Sequence, residues 1–208
     1  MANNDLLIAT KNPGKAREFQ QLFAPLGFTI KTLLDYPDID DIPETGSSFL
    51  ENASQKASTA AKRLQVPTIA DDSGLEIVAL NGEPGIYSAR YAGLDKNDQA
   101  NRQKVLLAME AVPDGKRQAQ FTCALVLSHS DGQIYKHYIG HLSGEILREE
   151  RGSNGFGYDS IFYVPDYQKT TAEMDPDLKN KISHRGQAMA QLKADIEAGK
   201  VELQWKYY

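Results

Sequence analysis

The sequence predicts an α/β domain built on a mixed β-sheet flanked by helices, and three observations predict it. Short apolar runs alternate with helical periods through the first half of the chain, the pattern of βαβ units. Two apolar runs, Ala119 to Ser128 and Gln133 to Leu142, are then joined by Ser130-Asp131-Gly132, a hairpin signal that adds an antiparallel pair. The chain has 208 residues, 41% hydrophobic and 25% charged, enough for one domain with a real core.

Each element has its local cause. Asp5 to Ala9 is short and apolar, as a buried strand is. Gly14 to Leu26 carries Ala16, Phe19, Leu22, Phe23 and Leu26 at helical spacing, and Gly27 stops it. Phe28 to Leu34 predicts a second strand, and Asp35 to Gly46 an acidic loop broken by Pro37 and Pro43. Ser48-Phe49-Leu50-Glu51 is a capping box for a helix reaching about Leu64, with Ala53, Ala57, Ala60 and Ala61 suited to close packing on a sheet. Thr68 to Asp71 predicts a third short strand, ending in a turn at Ser73-Gly74. Asn81 to Gly93 is a loop, and Asp95 to Val112 a helix. Beyond the hairpin, Arg148 to Gly157 is a glycine-rich loop and Ser160 to Val164 a strand. Ser183 to Ala198 closes the pattern as a helix with Ala188, Leu192 and Ile196 on one face and Gly199 at its end. The aromatic tail Trp205 to Tyr208 can pack on the body or on a second subunit.

Composition excludes several classes. A net charge of -5 provides no basic field for a nucleic-acid backbone, so an anionic small ligand needs local cations and a metal. The single cysteine, Cys123, rules out an internal disulfide and a multi-cysteine zinc site, and its apolar neighbours make it a buried small hydrophobe. The sequence has no signal peptide and no apolar run long enough to span a membrane, so a soluble cytoplasmic protein is expected.

Chemistry concentrates at element boundaries. Thr10-Lys11-Asn12-Pro13-Gly14-Lys15 joins a strand to a helix, where free backbone N–H groups and the Lys15 ammonium attract anions. It is not a Walker-type loop, because Ala9 replaces the first glycine and Ala16 the required hydroxyl residue. A polar helix cap is the competing reading. Glu44 is either a solvated loop acid or part of a site, and Lys56 either a surface lysine or a phosphate ligand. Asp71 and Asp72 supply the oxygens that hard cations take, and strand alternation puts them on opposite faces. Asp72 is expected to face a cleft beside Ser73, with Asp71 held by a supporting contact. Phe156-Gly157-Tyr158-Asp159 offers aromatic faces for a base, against a plain core role, and Ser183-His184-Arg185 places two donors at a helix start.

These stretches together resemble the inosine triphosphate pyrophosphatase family, which clears non-standard purine nucleoside triphosphates. The resemblance is carried by Thr10-x-Asn12-x-x-Lys15, Phe49-x-Glu51-Asn52-Ala53 with Lys56-Ala57, Ala70-Asp71-Asp72-Ser73-Gly74-Leu75, Pro84-Gly85-Ile86-Tyr87-Ser88-Ala89-Arg90-Tyr91, Gly155-Phe156-Gly157-Tyr158-Asp159 and Ser183-His184-Arg185-Gly186-x-Ala188. It implies an elongated sheet, two lobes with an active-site cleft between them, and a homodimer. It implies that Thr10, Asn12, Lys15 and Lys56 hold the triphosphate, with Lys11, Pro13 and Gly14 completing that loop. It implies Mg2+ on Glu44 and Asp72, substrate contact by Ser73, stacking by Phe156, and a base pocket lined by Gly157, Tyr158, Asp159, Lys179, His184 and Arg185. Asn154 and Ser160 depart from residues frequent in the family, both beside the base pocket.

The reaction so implied converts a triphosphate such as ITP, dITP or XTP and water to the monophosphate and pyrophosphate. Asp72 is either the general base or only the metal ligand. A 6-keto oxygen suits a donor from Arg185 or Lys179, whereas an amino group there leaves a cation unpaired. Rival readings are a pyrophosphatase for other modified nucleotides and a nucleotide-binding module without turnover.

Overall fold

A computed structural model describes residues 5–202; the tail from Trp205 to Tyr208 lies outside the described residues. The elements run β1 (Asp5–Ile8), α1 (Pro13–Phe23), β2 (Thr29–Thr32), α2 (Phe49–Leu64), β3 (Thr68–Ile77), α3 (Asp98–Ala108), β4 (Gln118–Ser128), β5 (Ile134–Ile146), β6 (Phe162–Val164), β7 (Lys169–Thr170), α4 (Pro176–Ile182) and α5 (His184–Glu197). The seven strands form one sheet in the order β2-β1-β3-β4-β5-β6-β7. β1 pairs in parallel with β2 and β3, while β6 is antiparallel to both β5 and β7. The sheet is mixed, as expected, and open.

The chain divides into two compact units, neither of them contiguous in sequence. One holds the chain up to Asp72, Cys123–Ile139 and the chain from Arg185; the other holds Ser73–Thr122 and Gly140–His184.

The first unit packs Leu6, Ile8, Phe19, Phe23, Ile69 and Leu192 into one core with Cys123. Phe19 and Phe23 lie one turn apart on α1 and stack, so the apolar stripe read from the sequence is the buried one. Burying each contributes on the order of 1.5–3 kcal/mol. The four alanines of α2 are fully buried, and their small size allows its close approach. Ser48 caps α2 by accepting from the Glu51 N–H, but Glu51 reaches back to Ser47 rather than to Ser48, so the capping box forms one residue out of place.

The second unit has its own core, with Leu75, Ile77, Val105, Met109, Phe121 and Phe162 among its members. Arg117 is buried there, its guanidinium donating to the carbonyls of Met109, Val112, Ile146 and Leu147. A buried cation is tolerable when its donors are met in this way.

Several expectations need correction: β5 runs four residues past Leu142 to Ile146, and β7 is not expected at all. β3 does not stop at Asp71: it runs ten residues to Ile77, through Ser73 and Gly74. Leu75 and Ile77 continue the apolar alternation into the second unit's core, and the two carboxylates are tolerated in mid-strand because Lys15, Arg185 and Lys56 pair with them and Asn52 donates to Asp72. α3 starts three residues later than expected and ends four earlier, closing in turns before Pro113. α4 was not expected, although Asp175-Pro176 is a cap followed by an N1 proline.

Candidate functional site

Asn12 caps α1: its Oδ1 accepts from the N–H groups of Gly14 at 2.8 Å and Lys15 at 3.0 Å. Pro13 occupies the first helical turn, Gly14 is buried, and Thr10 Oγ1 accepts from the Asn12 N–H. The turn is thus an ordered helix start, with the positive end of α1 aimed along it. Lys11 turns to the acidic loop, donating to Ile39 O at 2.6 Å and pairing with Asp41 at 2.9 Å. Lys15 turns to β3, its Nζ 3.0 Å from Asp71 Oδ2.

The adjacent carboxylates of β3 have different partners, as strand alternation requires. Asp71 is fully buried and accepts from Arg185 Nη2 at 2.9 Å as well as from Lys15. Arg185 also pairs with Glu18 of α1 and lies over the Phe19 ring. Burial alone would raise the Asp71 pKa, but Lys15, Arg185 and Lys56 outweigh it and hold the carboxyl well below the usual range. The Arg185 guanidinium is correspondingly held charged by Asp71 and Glu18 against its burial.

Asp72 instead faces α2. Asn52 Nδ2 donates to its Oδ2 at 3.1 Å, and Lys56 Nζ lies 3.3 Å from its Oδ1. The same Lys56 nitrogen is 2.6 Å from Glu44, so one ammonium joins the two acids. Burial is the largest influence on Asp72 and raises its pKa despite Lys56 and Lys15. Lys56 is also buried, which disfavours its charge, yet Asp72, Glu44 and Asp71 prevail and raise its pKa. Glu44, Lys56 and Asp72 therefore form one run of ion pairs in the first unit, and Lys15, Asp71, Arg185 and Glu18 form a second. Asn52 had no role in the sequence reading, although its spacing of four from Lys56 on α2 was a signal for it. Glu18, three residues after Lys15, was missed for the same reason.

Among the described residues no three His, Cys, Asp or Glu side chains gather to hold a metal. The donor set nevertheless fits Mg2+ in the way that ion prefers, with one or two carboxylates, water and substrate phosphates. Glu44 and Asp72 share the Lys56 ammonium already, so their oxygens converge on one point that a cation fills.

The remaining predicted residues, apart from Ser73, form a separate group in the second unit. Ser73 itself is half-buried in β3. Asp159 Oδ2 accepts from the Phe156 N–H at 2.9 Å and from Lys179 Nζ at 2.7 Å. Its Oδ1 accepts from Thr171 Oγ1 at 2.8 Å. Lys179 Nζ lies 5.2 Å from the Phe156 ring centre, a cation–π distance. A hollow of about 270 Å³ is lined by Phe156, Gly157 and Asp159 together with Asp98, Arg102 and Glu150. Tyr158 is buried in the core and donates to Ser88 O at 2.7 Å, so its side chain packs rather than lines that hollow. His184 is buried and stacked on Phe121. The structure thus gathers Phe156, Asp159 and Lys179, puts Tyr158 and His184 into packing, and gives Arg185 to Asp71.

The model of the Ham1 family matches residues 6–195. The chain is 50% identical over 186 residues to a Halalkalibacterium halodurans protein named dITP/XTP pyrophosphatase, covering 89% of this chain and 95% of that one. It is similar to the structure of the Staphylococcus aureus Ham1 protein, with a TM-score of 0.81, 46% identity, and coverage of 94% of this chain and all of that one. A HAM1 protein from Coxiella burnetii gives a TM-score of 0.82 at 46% identity, over 93% of this chain and 98% of that one.

Proposed function

Since the chain belongs to the Ham1 family, we propose that it hydrolyses non-standard purine nucleoside triphosphates, ITP, dITP and XTP, to the monophosphate and pyrophosphate. The observation that carries this reading is Lys56 joining Glu44 and Asp72, two carboxylates and a cation concentrated in one unit. Relatives named dITP/XTP pyrophosphatase match over most of their length and support the substrate class.

Cleavage between the α- and β-phosphates needs charge compensation on the departing pyrophosphate and a proton acceptor for water. Lys15 and Lys56 supply the compensation, and the N–H groups at the start of α1 extend it. Asp72, whose pKa burial raises, either takes the water proton or holds the metal that makes that proton acidic. Mg2+ held by Glu44 and Asp72 would neutralise phosphate charge and lower the pKa of water. Asp71 does not touch substrate; with Arg185 it fixes Lys15. Ser73 contacts the substrate beside Asp72.

Phe156 stacks on the base, and Lys179 donates to a 6-keto oxygen. Arg185 is withdrawn from that task here, since its donors are on Asp71 and Glu18. The reading includes a homodimer in the cytoplasm; among the described residues no helix is long and apolar enough to cross a membrane.

The test is a product analysis of the full chain with ITP, dITP, XTP, GTP, ATP and pyrimidine triphosphates, with Mg2+ or with a chelator. Pyrophosphate and monophosphate from the 6-keto non-standard purines, lost on chelation, are expected. Orthophosphate as the product, or no turnover, overturns the activity. Equal efficiency on every base overturns the selectivity, and turnover that survives chelation overturns the metal.

A further inference from the structure

Gly157 is held by both its backbone polar groups from outside its own loop. Asp98 Oδ2 accepts from the Gly157 N–H at 2.8 Å, and Arg102 Nη1 donates to the Gly157 carbonyl at 2.9 Å. Asp98 and Arg102 are four residues apart, so they leave the same face of α3. One helix face thus grips both polar groups of a single glycine.

The grip is itself anchored. Arg102 Nε donates to Glu150 at 2.8 Å, and Ser160 Oγ donates to the same carboxylate oxygen at 2.8 Å. Asn97 caps α3 by accepting from the Ala100 N–H, which fixes the helix start that carries Asp98. Within the loop, Asp159 already holds the Phe156 N–H. Phe156 therefore lies between two pinned amides, its own and that of the next residue. A backbone so fixed on both sides limits the directions in which the ring can point.

We infer that Asp98 and Arg102 are positioning residues for base recognition, acting through the Gly157 peptide to set the plane of the Phe156 ring. The inference rests on the proposed function for the identity of the base, and neither residue touches the reacting phosphates. Its energetic content is one or two charge-assisted hydrogen bonds to backbone, the stronger kind.

The chemistry of Asp98 permits a discriminating pair of variants. Asp98→Ala removes the acceptor. Asp98→Asn keeps a carbonyl oxygen for the Gly157 N–H but removes the charge that favours a helix N-terminus. If the carboxylate serves only α3, both variants behave alike; if it holds Gly157, Asp98→Asn lies between Asp98→Ala and wild type.

The experiment measures kcat and KM for ITP and the inhibition constant of inorganic triphosphate, which has no base. Amide hydrogen exchange over Phe156–Gly157 is read in parallel on the same proteins. Asp98→Ala is expected to raise KM about tenfold with kcat within about twofold, the size of one lost hydrogen bond. Its triphosphate inhibition constant stays unchanged, its Gly157 amide exchanges faster, and Asp98→Asn restores KM and exchange in part. Arg102→Ala is expected to act in the same direction as Asp98→Ala.

Unchanged exchange at Gly157 in Asp98→Ala overturns the inference whatever the activity. So does an Asp98→Asn variant as impaired as Asp98→Ala, or an effect that falls equally on inorganic triphosphate. Wild-type protein that releases no pyrophosphate from ITP overturns the proposed function instead, and the exchange result still decides whether Asp98 holds the loop.

Discussion

Arg185 donates to Asp71 at 2.9 Å across 114 residues of sequence, and both side chains are almost wholly buried. Neither could stay charged there alone, since desolvating a single ion costs far more than a fold can offset. Lys15 and Glu18 complete the group, giving two acids and two cations in contact. Asp71→Ala would leave the arginine without its main counter-ion and is expected to cost about 3–5 kcal/mol of stability. Urea denaturation measures it. A loss below about 1 kcal/mol would mean that the ion group is not what holds this part of the first unit.

Asp72 lies next in sequence yet serves a different purpose, and its variants should separate from those of Asp71. Asp72→Asn preserves shape. It is expected to lower kcat on ITP by about 10²–10⁴-fold, the usual contribution of a general base. Circular dichroism and the unfolding midpoint should stay near wild type. Turnover close to wild type would remove Asp72 from the proposed mechanism.

That contrast was partly legible in the sequence. Strand alternation alone separates Asp71 from Asp72. The end of their strand is not legible there, because Gly74 is a turn signal locally, whereas the burial of Leu75 and Ile77 in a core carries the strand on. Lys15, Lys56 and Arg185 come from three other elements, so no local pattern announces them. Asn52 was within reach, one turn before Lys56 on the same helix. The hold of Asp98 on Gly157 spans 59 residues and joins a helix start to a loop, so sequence spacing does not reveal it. Tyr158 and Phe156 look equivalent as letters; only packing sends Tyr158 into the core while Phe156 stays partly exposed.

Cys123 gives a test of the first unit's packing that is independent of catalysis. Its thiol is fully buried, and burial, with a smaller push from Asp71, moves its pKa up to about 12. The thiolate is the reactive form, so native protein at about pH 8 is expected to resist a thiol reagent. Labelling should appear only with unfolding, and its rate should follow the denaturant curve. Rapid stoichiometric labelling of native protein would show that this core opens far more readily than its packing implies.

Acid stability should depend in part on Asp195. Its carboxylate accepts from Tyr138 and pairs with Lys136 and Lys200, and hydrogen bonds from Lys136 and Tyr138 lower its pKa in the folded state. A folded pKa below the unfolded value stabilises the protein above the unfolded pKa, and that contribution is lost as pH falls through the folded one. Asp195→Asn is therefore expected to flatten the fall in stability below about pH 4 and to leave the neutral-to-alkaline slope unchanged. Denaturant midpoints across that range measure it. A slope identical to wild type in acid would show that the Lys136 and Tyr138 contacts do not persist in solution.

Two glycines flanking Phe156 make opposite predictions despite similar backbone angles. Gly155 and Gly157 both have positive φ, at 79° and 60°, so alanine at either bears a left-handed strain of about 1–2 kcal/mol. They differ in space: a Cβ on Gly157 meets nothing, whereas one on Gly155 drives into the Asp159 carboxylate. That carboxylate holds the Phe156 N–H and Lys179, so moving it disturbs together the ring proposed to stack on the base and its proposed donor. Gly155→Ala is thus expected to raise KM for ITP more than tenfold, while Gly157→Ala stays within the range its strain allows. Each is checked by steady-state kinetics with a thermal midpoint on the same protein. If Gly157→Ala proves the worse of the two, the contact between Asp159 and the loop backbone is not what shapes the site. Strain alone would then predict near-equal effects, so the ordering of the two variants decides between crowding and conformation as the constraint on that loop.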